Sequence, residues 1–245
     1  MKNLTVVFAL VATALLWLVF PPDFSAPPVK VLLPDAHAPV QVLPSVSSVP
    51  VTLPALVPVQ VFAPVPAASY RYRHAIEVAA IRAFGLDAPV ALLAAQIRAE
   101  SAYTATAYSS AGAQGMAQFM PKTALAMARL YPELRPANPR DPGWAFRAQA
   151  LHMRDLVAAY PAATTVCDRY AFALSAYNGG PRALDRERAL ASTATLWFGA
   201  SAVEPQRSRT RANWHENRTY VRRILIDWEP DYSAAGWRGG LGCSV

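Results

Sequence analysis

The sequence predicts a mainly α-helical domain preceded by an N-terminal hydrophobic helix and a Pro-rich linker. Three observations carry this expectation. From Ile76 onward apolar residues recur at steps of three and four, the period of a helix face, and no stretch shows convincing strand alternation. The 22 prolines are unevenly spread and crowd the region before residue 69. An uncharged run, Leu4 to Phe20, comes after Met1-Lys2-Asn3. With 245 residues and 53% hydrophobic content, the chain supports one substantial core with appendages rather than two large domains.

The apolar run is about 17 residues, which as a helix spans roughly 25 Å. A hydrocarbon core is about 30 Å thick, so residues 1–20 read as a short signal anchor or as a signal peptide, and either one exports the remainder of the chain. Pro21-Pro22 come directly after, and the A-x-A match Ala36-His37-Ala38 lies far downstream, which favours the uncleaved anchor. Residues 21–68 alternate proline with Val, Leu and Ala and carry almost no charge. This composition favours polyproline II, with a reach on the order of 100 Å when extended. It reads as a semi-stiff tether or as a plain spacer.

The domain occupies residues 69–245. Tyr70 to His74 lead into a helix through Ile76, Ala79, Ala80 and Phe84, which Gly85 ends. Leu86, Val90, Leu93, Ile97 and Glu100 then fall on one face of a second helix, with Asp87 as its cap. A carboxyl on an apolar stripe, in the last turn, meets two effects that disfavour its anion: burial and the negative end of the helix dipole. Both raise its pKa, as a general acid requires. The alternatives are a glutamate paired with arginine, or a stripe that has already turned to solvent.

Ser109-Ser110-Ala111-Gly112-Ala113-Gln114-Gly115 is composed for a tight loop, with at most a short β-hairpin near Gly112 to Gln118. Gln118 with Met116, Phe119 and Met120 suits a sugar-lined cleft. Pro121 opens a helix to about Tyr131, and Pro132, Pro136 and Pro139 hold a loop until Asp141. A longer helix covers Trp144 to Tyr160. Thr165 and Asp168 form a capping box for the next helix, closed by Gly179-Gly180-Pro181, with Tyr170, Leu174 and Tyr177 on one face. The last helix, Asn213 to Trp228, turns Tyr220, Val221, Ile224, Leu225 and Trp228 inward. Glu216 is either a second cleft carboxylate or an acid stabilised at a helix N-terminus. In an exported protein Cys167 and Cys243 can bond, fastening the tail to the start of the Tyr177 helix, and both redox states stay open.

Before residue 69 the charges cancel, Lys2 and Lys30 against Asp23 and Asp35, so the domain carries the whole net +7. That suits a polyanion, but no nucleic-acid motif accompanies it, and Arg207, Arg209 and Arg211 read as a solvated loop. His37, His74, His152 and His215 lack metal-ligand spacing, so no metal and no cofactor is expected.

Three ordered blocks carry a family resemblance. Glu100-Ser101, then Ser109 through Pro121, then Ala176-Tyr177-Asn178-Gly179-Gly180-Pro181, resemble the lytic transglycosylase domain of the soluble (SLT) type, a lysozyme-like fold. The family pattern is roughly E-S, S-x-x-G-A-x-G-L-M-Q-x-M-P and A-Y-N-A-G. This chain departs with Met116-Ala117 for Leu-Met and Gly179 for Ala. Glu216 to Val221 is similar to the family's E-T-x-x-Y-V element. The likeness covers about residues 70 to 228.

The resemblance implies that Glu100 cleaves the bond between N-acetylmuramic acid and N-acetylglucosamine without water, as acid and then as base, leaving a 1,6-anhydro ring. It implies that Tyr177 lies against the acid and orients it, and that Ser109, Gln118, Met120 and Asn178 position the glycan. The expected partners are peptidoglycan glycan strands and the inner membrane through the N-terminal segment, with no nucleic acid, for a monomer at the periplasmic face. A phage or prophage endolysin and a resident wall-remodelling enzyme both fit. A hydrolytic lysozyme-type muramidase and a catalytically lapsed wall-binding protein are the alternatives.

Overall fold

The computed structural model describes residues 62–204 and 209–244, so residues 1–20 and the linker up to residue 61 lie outside the described part of the chain. Among the described residues eight α-helices run in order: α1 (Ala67–Phe84), α2 (Val90–Ser101), α3 (Pro121–Leu130), α4 (Pro142–Ala159), α5 (Val166–Gly179), α6 (Pro181–Leu190), α7 (Arg211–Arg222) and α8 (Glu229–Ala234). A 3-10 turn at Pro132–Leu134, a kinked turn at Trp197–Ser201 and wider π-type turns at Arg223–Trp228 complete the elements. Strands are absent among the described residues. The hairpin expectation reduces to two isolated antiparallel bridges, Tyr108 with Gln114 and Gln114 with Phe119.

α2 is the axis of the core. Every residue from Val90 to Ile97 is buried, because the run is Val, Leu, Ile and Ala with one glutamine and can pack on all sides. It contacts α1, α8 and the Arg223–Trp228 turns, while α4 bridges α1 and α5. Two local expectations fail at its start. Leu86 lies in the turn before the helix and is 77% exposed, so it does not extend the apolar face. Asp87 does not cap: Pro89 holds the N-cap position without a side-chain hydrogen bond.

The Gly85 stop and the Thr165–Asp168 box behave as the sequence implies, and Asp141 adds a cap that the sequence reading did not name. Gly85 ends α1 at φ 84°. Asp141 accepts from the Trp144 amide at 2.6 Å and opens α4. Thr165 and Asp168 close a reciprocal capping box on α5. Asp168 is buried, and its other oxygen accepts from the Trp197 and Phe198 amides, which satisfies the charge where water cannot reach.

The folded unit reaches further back than residue 69. α1 begins at Ala67, Val65 is buried, and the Ala63 amide donates to Asp231 Oδ1 at 2.8 Å. At the other end a disulfide joins Cys167 to Cys243 and fastens the tail to the first turn of α5. The Arg238 carbonyl accepts from the Ala91 amide, so the tail also covers the start of α2.

Candidate active site

Glu100 sits in the last turn of α2, just before Ala102 ends the helix in the left-handed region at φ 48°. Part of the residue opens to solvent while protein crowds its carboxyl. Burial pushes the pKa up from the ordinary carboxylate value to about 8, against the opposing pull of one hydrogen bond. That bond comes from Tyr220 of α7, whose hydroxyl donates to Oε1 at 2.5 Å. Among the described residues Glu100 makes no ion pair. The nearby Arg98 guanidinium lies instead over the Trp228 ring, 4.2 Å from its centroid. A neutral carboxyl at neutral pH, at the partly open end of its helix, is equipped to give up a proton.

The tyrosine expected to orient the acid is a different one. Tyr177 neighbours Glu100 closely enough for the carboxylate's charge to help raise the phenol's pKa, after burial. Its hydroxyl, however, donates to the Ala117 carbonyl at 2.8 Å. Tyr177 therefore pins the loop beside the acid, and Tyr220 holds the acid itself. Nothing local in the sequence marks this exchange, although Tyr220 falls within the Glu216–Val221 block.

The loop after α2 does return past the acid. Ser101 Oγ, one residue on, donates to the Met116 carbonyl at 2.8 Å. Ser109 accepts from the Ala113 amide at 2.9 Å and so closes its own turn. Gln118 takes φ 47° and donates to the Gly115 carbonyl at 2.8 Å. Gly115 has no alternative: at φ 73° a Cβ there would stand 1.7 Å from the Pro139 carbonyl oxygen. Met120 precedes α3 and is 42% exposed.

Asn178 is exposed near the C-terminal end of α5 and accepts from Asn217 Nδ2 at 2.7 Å. Asn217 is buried and tied back to Ser175 of the same helix at 2.7 Å, so the Asn178 side chain is held from behind. Asn178, Gly179, Ala183, Arg209, Asn213 and Glu216 line a cavity of about 290 Å³. Glu216 is exposed, in the second turn of α7 rather than at its N-terminus, and one turn ahead of Tyr220.

Arg209 is not in a solvated loop. Its guanidinium and that of Arg218 both clasp Glu187, a fully buried carboxylate of α6. Arg209 approaches the Gly179 backbone so closely that a Cβ there would lie 2.2 Å from Nη1. Any side chain at position 179 would therefore require the Arg209 guanidinium to shift.

A mainly helical domain with one carboxyl poised beside a glycine-rich loop is thus defined. Residues 80–196 match the family model of the Transglycosylase SLT domain. Tyr220 and Glu216 fall beyond the matched range. Among solved structures the chain is similar to the 70 kDa soluble lytic transglycosylase SLT70 from Escherichia coli, at 21% identity and a TM-score of 0.49 over 69% of this chain and 26% of that one. It is also similar to an inactive mutant of the lytic transglycosylase Slt from Pseudomonas aeruginosa, at 20% identity and a TM-score of 0.48 over 69% and 25%. The chain covers about a quarter of those two proteins' length. No curated protein matches it.

Proposed function

We propose that the protein is a peptidoglycan lytic transglycosylase in which Glu100 serves first as acid and then as base. The observation that carries this reading is the Glu100 carboxyl raised to about 8, within a domain that matches the SLT family model. A neutral carboxyl can protonate the oxygen linking N-acetylmuramic acid to N-acetylglucosamine. The muramic acetamido group steadies the cationic anomeric carbon. The resulting carboxylate, still hydrogen-bonded by Tyr220, removes the proton from the same sugar's 6-hydroxyl as that oxygen closes the 1,6-anhydro ring. Acid and base roles alternate on one residue, so a second flanking carboxylate of the ordinary glycosidase kind is not required.

Ser109, Gln118, Met120, Tyr177 and Asn178 would position the glycan along this cleft. Glu216, exposed on the cavity beside Asn178, would contact the sugar chain rather than transfer protons. Mass spectrometry of digested cell walls tests the reading: anhydro-muropeptides are expected, and products heavier by one water would instead assign a hydrolase. Glu100→Gln should abolish both.

The same reading sets the domain at the periplasmic face of the inner membrane, with residues 1–20 as anchor or signal peptide and residues 21–68 as tether, in phage-type host lysis. Expression with and without residues 1–20, with culture turbidity as the readout, tests it; lysis that is indifferent to the deletion would remove export from the account.

A further inference from the structure

Two glutamines stand inside the core, Gln96 on α2 and Gln149 on α4, both almost completely buried. Their bonds form a line that ends on the acid. Gln149 Nε2 donates to the Leu93 carbonyl at 3.1 Å and to Gln96 Oε1 at 2.9 Å. Gln96 Nε2 donates to the Tyr220 hydroxyl oxygen at 3.1 Å, and Tyr220 donates to Glu100 Oε1.

The first member sets the direction of this line. A backbone carbonyl can only accept, so the Gln149 atom facing Leu93 must be nitrogen, and its amide cannot be flipped without losing that bond. That nitrogen then requires the Gln96 oxygen, which turns the Gln96 nitrogen toward Tyr220. The tyrosine oxygen receives a hydrogen there, and its own proton is left to point at Glu100. We propose that Gln149 and Gln96 are positioning residues that hold the Tyr220 hydroxyl as an obligate donor to Glu100.

The acid is affected in two ways. Because Oε1 is occupied as an acceptor, the carboxyl's own proton belongs on Oε2, the oxygen left to meet a glycosidic bond. Because a hydrogen bond donated to a carboxylate favours the anion, the relay also keeps the acid from being too weak to part with its proton. The titratable groups that face Glu100 from the packed elements are Tyr220 of α7 and Tyr177 of α5. Both phenols stay neutral through this range because burial and the Glu100 charge disfavour their anions. The inference deepens the assignment of Glu100 as the acid and draws its functional meaning from it.

The test is a carbon-13 carboxyl NMR titration of the full-length protein, with the Glu100 signal identified by its loss in Glu100→Gln. Gln149→Met conserves volume while deleting the donor, and it should raise the Glu100 midpoint by roughly half to one pH unit. Tyr220→Phe should raise it at least as far. An unmoved or lowered midpoint in Gln149→Met, or no movement in Tyr220→Phe, overturns the proposal. Should Gln149→Met fail to fold, Gln96→Met carries the same expectation, and failure of both to fold assigns the amides to core packing alone and overturns it. The titration needs no turnover. A wild type that leaves peptidoglycan intact would therefore defeat the proposed function without touching this measurement.

Discussion

The Tyr220 hydroxyl reaches Glu100 across 120 positions of chain, and that single bond connects α7 to the C-terminal end of α2. It opposes burial at the carboxyl, so the acid's strength is a balance of two effects set by different parts of the molecule. Activity in kcat/KM should decline as pH rises through about 8, where Glu100 loses its proton. Tyr220→Phe removes the bond that favours the anion, which moves that alkaline limb upward. The same variant should lower kcat by about tenfold, the order expected when a hydrogen bond to a developing carboxylate is lost. A pH–rate profile on purified peptidoglycan checks both.

Stability should carry the same signature with a defined sign. The Glu100 pKa is raised in the folded protein, so between about 4.5 and 8 the folded state binds more protons than the unfolded one. Stability from this residue is therefore present at low pH and declines as pH climbs through that window. Glu100→Gln has no such proton to lose. At pH 8 its melting temperature should exceed that of the wild type by a few degrees, about 3 °C for each kcal/mol in a domain of this size, with the gap closing toward pH 5. Equal melting curves at both pH values would contradict the burial of the carboxyl.

Gly179 and Arg209 should behave as one unit. Gly179→Ala places a methyl 2.2 Å from the Arg209 guanidinium and drives it off Glu187. Arg209→Met removes the same clasp directly, and each should cost about 3 kcal/mol because a buried carboxylate loses a partner. Combined, they should cost little more than either alone. Additive losses in a chemical-denaturation double-mutant cycle would show that the contact does not couple them.

The disulfide encloses 76 positions of chain, long enough that its removal should lower stability by about 4 kcal/mol on chain-entropy grounds. Cys243→Ser should lose that stability yet keep its activity well below the melting temperature. Cys167 stands ten residues before Tyr177 on α5, about 15 Å along the axis. Thermal melts with and without reductant, paired with turnover at 20–25 °C as an approximate working range, separate the two effects.

Gly115→Ala faces both a left-handed φ of 73° and a backbone oxygen 1.7 Å from the new methyl. The loop that Gln118 and Tyr177 hold must shift, so turnover should drop at least tenfold alongside a stability loss of about 2 kcal/mol. Wild-type turnover in Gly115→Ala would dissociate the loop's position from catalysis.

Much of this protein can be read along the chain, because the determining interactions are short-ranged. Helix periodicity, the Thr165–Asp168 box, the Gly85 stop and the prolines before Asp141 act within a few residues. Glu100 stands out for the same reason: a carboxylate in an apolar helix is anomalous on local grounds alone. Gln96, four residues before it on the same face, carries an equally local signal, a polar amide on an apolar stripe.

What the sequence determined by itself was the helical architecture and the anomaly of a carboxylate, Glu100, on the apolar face of α2. Which tyrosine bonds Glu100 and where Arg209 spends its charge were decided by tertiary structure alone. These depend on side chains from α2, α4, α5, α6 and α7 meeting in one volume. Hydrogen bonds and ion pairs act over a few ångströms of space, however many residues of chain lie between the partners, and a one-dimensional pattern does not record that distance.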